Sequence, residues 1–297
     1  MDGIIIINKP KGCTSHDIVY KMKKITGEKV GHTGTLDPNA TGVLPLLIGK
    51  GTLLSKYLIN HDKTYQVTLK LGEKTDTADI EGEIIEKKIV DNKILEIDTV
   101  EKVLNSFIGN QEQIPPMYSA IKVNGKKLYE YARSGKEVTI EPRKISIYSI
   151  KLLSINIENK EITFEVSCSK GTYIRSLCED IAQKLNTVGY MKKLNRIQVG
   201  EFFIENSITI EDFEQNINNT EYLNNHLITI EMLFKDREAI MLDKSKLRLF
   251  LNGVKLSCKL EDGVYKIYNS HKGFIGTGII KNNTLKRDII VKNIENV

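Results

Sequence analysis

Two short stretches hold the residue types that could do chemistry. The first is Gly31-His32-Thr33-Gly34-Thr35-Leu36-Asp37-Pro38-Asn39-Ala40-Thr41-Gly42. Its glycines let the backbone approach a ligand, its small hydroxylated side chains leave room for one, and Pro38 biases Asp37 towards an extended conformation. A carboxylate held in this way suits nucleophilic catalysis. Asp-Pro is also a common turn initiator, so spacing alone leaves Asp37 between a catalytic and a structural role. The second stretch, Ser169-Lys170-Gly171-Thr172-Tyr173-Ile174-Arg175, runs from a strand end into a helix start, where unsatisfied N–H groups favour anions. Tyr173 and Arg175 on that first turn can point into one cleft, and a guanidinium close to a buried carboxylate lowers its pKa and keeps it ionised. The same two residues also fit an ordinary structural partnership.

These stretches need elements to position them. Gly3–Asn8 (GIIIIN) has the pattern of a buried strand. Ser15 offers an N-cap to a helix over His16–Thr26, with Ile18, Val19, Met22 and Ile25 on one side and Gly27 closing it. Residues 30–40 are too irregular to form an element. Val43–Ile48 returns as a strand, and a helix follows over Thr52–Ile59. Thr64–Leu71 alternates Tyr65, Val67, Leu69 and Leu71 with polar residues, the pattern of a half-buried strand. Further on come a helix over Asp98–Ile108, an irregular excursion over 111–143 with a short helix at Lys126–Arg133, and a strand pair, Ile145–Ile157 with Glu161–Ser167. A helix over Thr172–Leu185 follows. The acidic stretch 205–240 reads as a solvated connector. The tail holds a helix over Asp243–Asn252 and short β segments. Strands and helices mixed without regular βαβ alternation predict an α+β fold, with a main domain over 1–235 and a small β-rich one over 240–297.

Composition narrows the function classes. A chain of 297 residues with 40% hydrophobic and 27% charged residues is an ordinary globular composition. The longest apolar run, near Gly42–Ile48, is too short to span a bilayer, and the N-terminus lacks the order of a secretory signal, which predicts a cytoplasmic protein with no membrane partner. Four scattered cysteines and five scattered histidines predict neither a disulfide framework nor a metal site. Net charge is +5, with basic residues concentrated at the start and in the tail, a distribution that suits a surface meeting phosphate.

The string GHTGTLDPNATGVLP (Gly31–Pro45) resembles the catalytic motif of the bacterial tRNA pseudouridine-55 synthases, the TruB family. Five further blocks resemble that family in the same order. They are IINKPKGCTSHDIV at the N-terminus, KTYQVTLKLGEKTDTADIEGEI at Lys63–Ile84, and IPPMYSAIKVNGKKLYEYARSGKEV at Ile114–Val138. CSKGTYIRSLCEDIA at Cys168–Ala182 and LNRIQVGEF at Leu194–Phe202 complete the set. Together they span roughly residues 3–203.

The resemblance implies a pseudouridine-synthase fold with a mixed, largely antiparallel central sheet flanked by helices, and a small C-terminal domain of the PUA type. It implies an isomerase acting on a uridine in the T loop of tRNA, with the base flipped out and no cofactor. Asp37 is then the nucleophile, attacking ribose C1′ or uracil C6, and Arg175 its partner. Tyr65 stacks on the uracil, Tyr173 and Leu194 wall the pocket, and His32 packs against the RNA loop. Lys9, beside Pro10, reads as structural and close to phosphate. Lys122, Lys126, Lys127, Arg133 and Lys136 of the insertion suit backbone phosphates. The enzyme reading carries no obligate protein partner and needs only a monomer. Two other readings share these residues: a tRNA-folding chaperone using the same pocket, and a guide-RNA-dependent relative, which the chain's own RNA-gripping insertion argues against.

Overall fold

In the computed structural model, which describes residues 1–119, 121–136 and 138–291, the four isoleucines form the strand Gly3–Lys9 and bury both of its faces. Ile5 and Ile7 pack with Ile18, Met22, Leu44 and Leu46. Ile4 and Ile6 face the other way, against Val43, Leu47, Phe202 and Phe234. Side chains alternate along a strand, so an unbroken apolar run fits a strand covered on both faces.

That strand lies in a ten-stranded mixed sheet. Its path runs Ile228–Thr229, Gly3–Lys9, Thr41–Ile48, Gly189–Val199, Lys63–Leu71, Glu161–Cys168, Arg143–Asn156 and Gly109–Gln113. All neighbours on the path are antiparallel except Thr41–Ile48 and Gly189–Val199, which run parallel with Thr41 opposite Asn195 and Gly42 opposite Arg196. Helix Ile174–Lys184 buries Leu177 and Ile181 against Val67, Leu69, Phe164 and their neighbours. Helix Ser15–Thr26 covers another part of the sheet. A separate five-stranded sheet is built from Ala239–Leu242, Leu256–Ser257, Gly263–Asn269, Phe274–Lys281 and Thr284–Ile290, over a core of Phe250, Ile267, Ile275 and Leu285. The α+β architecture with a β-rich C-terminal part is therefore as expected. Among the described residues no helix is long and apolar enough to cross a membrane.

Four local expectations are corrected. Thr14, not Ser15, caps the first helix, in a capping box with Asp17; the Ser15 hydroxyl is instead engaged with the backbone of Leu36. Within 30–40, Val30–His32 forms a short strand against Leu46–Ile48. The helix read over Thr52–Ile59 is a 3₁₀ segment, Gly49–Leu54, followed by one α turn, Ser55–Leu58. The acidic stretch is no solvated connector: Ile210 and Phe213 of helix Ile210–Asn216 are buried on the first strand's helix-covered face, and Ile228–Thr229 pairs with Gly3 and Ile4. Each such side chain contributes about 1.5–3 kcal/mol on burial. The acids turn outward, where Glu211 and Glu214 meet Lys21.

Candidate active site

The parallel pairing of the two central strands sets the site. Gly42 has φ +104, and a Cβ there would lie 2.2 Å from the Arg196 carbonyl oxygen, so only glycine lets the chain leave the Asp37 loop and join the sheet. Thr41 Oγ1 and Asn195 Oδ1 are 3.0 Å apart across the same junction.

Buried donors hold the loop itself. Arg196, only 1% exposed, donates from Nε to the Val43 carbonyl (2.8 Å) and from Nη2 to that of Gly34 (3.0 Å). Its Nη1 reaches the Thr35 carbonyl at 3.5 Å. Lys9 is fully buried, and its ammonium donates to the carbonyls of Pro10 (2.9 Å), Cys13 (2.7 Å) and Pro38 (3.2 Å). This agrees with the structural reading of Lys9; the phosphate-proximal, substrate-binding part of that reading is corrected, because the side chain folds inward and braces the backbone next to Asp37. Arg196 lies inside the block LNRIQVGEF, yet the residue itself did not stand out in the sequence.

Asp37 projects from this braced loop into a cleft of about 790 Å³, a size typical of ligand pockets. Arg175 meets it side-on: Nε lies 3.2 Å from Oδ2 and Nη2 donates to Oδ1 at 3.4 Å. The guanidinium is anchored behind by the carbonyls of Tyr118 (2.9 Å) and Thr77 (3.3 Å), with Asp79 Oδ2 3.8 Å from Nη1. Arg175 sits in the first turn of helix Ile174–Lys184, and the backbone N–H of Tyr173 before it is occupied by the Gln113 side chain (2.8 Å). That N–H is not offered to an anion.

Burial pushes the Asp37 carboxyl above its usual range, Asp79 adds to the rise, and Arg175 and Lys9 oppose it without cancelling it. The expected downward pull of Arg175 is present but does not prevail: the arginine aims the carboxylate and limits an increase that burial sets.

Tyr65, Tyr173 and Leu194 line the cleft with Asp37 and Arg175. Tyr65 is buried, which pushes its hydroxyl up to about 12, so it stands in the cleft as a neutral phenol. His32 is not among the lining residues; it lies on the short strand, half-buried, and its Nδ1 accepts from the Gly34 N–H (3.3 Å). Burial, and then Arg196, hold its imidazole below the ordinary pKa, consistent with that neutral acceptor. In the insertion, Lys122, Lys126 and Lys136 are exposed, Lys127 is half-buried against Tyr129, and the Arg133 side chain lies outside the described residues. One lining residue, Asp37, is acidic, and six are basic: Lys63, Arg143, Lys144, Lys170, Arg175 and Arg196.

A mixed sheet presenting one braced, arginine-aimed carboxylate in a cationic, aromatic cleft defines an RNA-modifying isomerase of the pseudouridine-synthase type. Residues 21–174 match the family model of the TruB family pseudouridylate synthase N-terminal domain, and residues 175–235 match that of the tRNA pseudouridylate synthase B C-terminal domain. The chain belongs to the TruB family of pseudouridylate synthases. It is 44% identical over 286 residues to tRNA pseudouridine synthase B of Clostridium perfringens (strain SM101 / Type A), covering 94% of this chain and 95% of that relative. The Clostridium kluyveri protein of the same name is 43% identical over 288 residues, covering 95% and 96%. Among solved structures, a Cbf5-Nop10-Gar1 complex holds a chain that matches with a TM-score of 0.68 at 25% identity, over 98% of this chain and 84% of that one.

Proposed function

We propose that this enzyme isomerises uridine 55 in the T loop of tRNA to pseudouridine, with Asp37 as nucleophile. The observation that carries the reading is the pairing of Asp37 with Arg175 in a cleft whose other charged lining residues are all basic. The reaction breaks the C1′–N1 bond, turns the uracil, forms a C1′–C5 bond, releases the C5 proton and adds one proton at N1, so that the product is an isomer of the substrate. Nothing is oxidised or reduced, so one carboxylate that adds and then departs can carry it. Addition at C1′ and addition at C6 both need Asp37 ionised, and Arg175 favours that form.

The target base must leave its stack, which costs a few kcal/mol. Stacking on an aromatic side chain returns about 1–3 kcal/mol per base, and Tyr65 is the aromatic positioned for it, with Leu194 as an apolar wall. Tyr173, bound through its carbonyl and N–H to Gln113, holds the rim. The exposed insertion lysines grip the stem through phosphates, and the C-terminal sheet, in PUA fashion, extends that grip. The enzyme then works alone, as a cytoplasmic monomer on free tRNA, and His32 contributes by bracing the Gly34 turn.

Two measurements test this. Mapping modified uridines in total tRNA after deletion of the gene is expected to show loss at the T-loop position alone. Purified protein is expected to convert a bare T-stem-loop transcript. An intact T-loop pseudouridine in the deletion strain contradicts the assignment. Refolding of tRNA without any pseudouridine formed favours the chaperone reading instead.

A further inference from the structure

The wall of the cleft formed by the start of strand Lys63–Leu71 carries charges that the chemistry at Asp37 does not use. Lys63 and Tyr65 are two residues apart on one strand, so their side chains leave the same face, about 7 Å apart along it. Both line the cleft. A nucleotide with its base on Tyr65 spans that distance with its sugar and phosphate. Lys63 also lines an adjoining cavity of about 430 Å³ bounded by Asp62, Tyr148 and Gln198, so it stands on the partition between two spaces open to substrate.

The carboxylate of Asp62 bounds the same cavity but is turned to another partner. Among the described residues Lys63 makes no ion pair; its ammonium donates to the His61 carbonyl. Asp62, next to it in the chain, accepts the Tyr148 hydroxyl at 3.1 Å. Lys170, which lines the same cleft, donates to Asn60 Oδ1 at 2.6 Å and likewise makes no ion pair among the described residues. Arg196 lies on the third side, bound to carbonyls. The Lys63 stem is fixed against the Asp37 loop: a Cβ at Gly34 would lie 3.8 Å from Lys63 Cε and 3.4 Å from Arg196 Nη1. Burial, and then Arg196, pull the Lys63 pKa down, against a smaller upward pull from Cys168 and Asp62. Like charges gathered in a half-buried wall repel, and an anion placed among them relieves that repulsion.

We propose that Lys63, with Lys170 of the same cleft, seats the phosphodiester that adjoins the target uridine, and so fixes the flipped nucleotide by its backbone while Tyr65 holds its base. This rests on the reading of the cleft as the uridine site. Lys63 is in this account a substrate-positioning residue that carries no step of the bond rearrangement.

The test is binding of a T-stem-loop RNA to the full-length wild type, Lys63→Met and Lys63→Arg at several salt concentrations. The RNA is used with native linkages and with a neutral methylphosphonate at either linkage flanking the target uridine. For the wild type, one of the two neutral linkages is expected to weaken binding about tenfold, as loss of a charge-assisted hydrogen bond does. Lys63→Met is expected to bind native RNA about tenfold more weakly, to lose nothing further with that linkage, and to lower the slope of log affinity against log salt by about 0.7. Lys63→Arg restores binding and the slope. Native-like binding and slope in Lys63→Met overturns the proposal, and so do two losses that multiply. If the wild type binds but forms no pseudouridine, the proposed function fails, while the same binding data still decide the role of Lys63.

Discussion

Two buried arginines reach the Asp37 loop from opposite sides, and their partners differ. Arg175, at the start of a helix, is anchored by the carbonyls of Tyr118 and Thr77 and in addition faces carboxylates, Asp37 at 3.2 Å and Asp79 at 3.8 Å. Arg196, near the end of a central strand, meets the carbonyls of Gly34, Thr35 and Val43 and no carboxylate among the described residues. A guanidinium bonded to carbonyls leaves its full charge in place and spends its geometry on shaping backbone. One bonded to carboxylates orients a reacting group and alters its proton affinity. On the proposed function the first arginine serves the chemistry, and the second shapes the loop that delivers it.

Removing each arginine should separate the two roles. Arg175→Met is expected to lower kcat by about a thousandfold, in the range of a lost preorganised electrostatic contact. It also removes the positive charge that restrains the Asp37 pKa, so the acid limb of the kcat profile should move to higher pH; an unmoved limb would deny the pairing its electrostatic role. Arg196→Met deprives three loop and strand carbonyls of their donor, a loss of about 3 kcal/mol in stability, read from the urea midpoint. Arg196 is not among the charges that set Asp37, so the acid limb of the folded variant should stay where it is. An unchanged midpoint would remove Arg196 from the scaffold.

A smaller effect sharpens the pair further. Asp79 raises the Asp37 pKa, so Asp79→Asn should move the acid limb to lower pH, opposite in sign to Arg175→Met. In the wild type that limb should lie above the ordinary carboxylate range, because burial outweighs Arg175. A limb at or below that range would mean that the arginine wins.

The same contrast explains what the sequence disclosed. Asp37 and Arg175 were legible because both lie in blocks that resemble the TruB family's motifs; their residue types alone left a structural role open, and the structure brings the two together. Arg196 was hidden. In a strand that reads KKLNRIQV, a basic residue looks solvent-facing, and only the parallel register with Thr41 and Gly42 turns it inward. Lys9 reads from the sequence as structural and close to phosphate; the structural part was legible, while the three carbonyls that converge on its ammonium come from the fold and take the place of phosphate. The acidic stretch misled through its charge. Ile210 and Phe213, three apart, were the helical signal, overshadowed by Glu211, Asp212 and Glu214 around them.

The account depends most on Asp37 acting as an ionised nucleophile, and single-turnover conversion of a T-stem-loop RNA by Asp37→Asn tests it most directly. Because the native pKa of Asp37 lies above its unfolded value, ionising it lowers stability as pH rises through that interval. At neutral pH the variant should therefore unfold no earlier than the wild type. It should bind the RNA with near-native affinity and form no pseudouridine. Conversion by that folded variant at a rate within tenfold of the wild type would contradict the nucleophile assignment and, with it, the proposed mechanism.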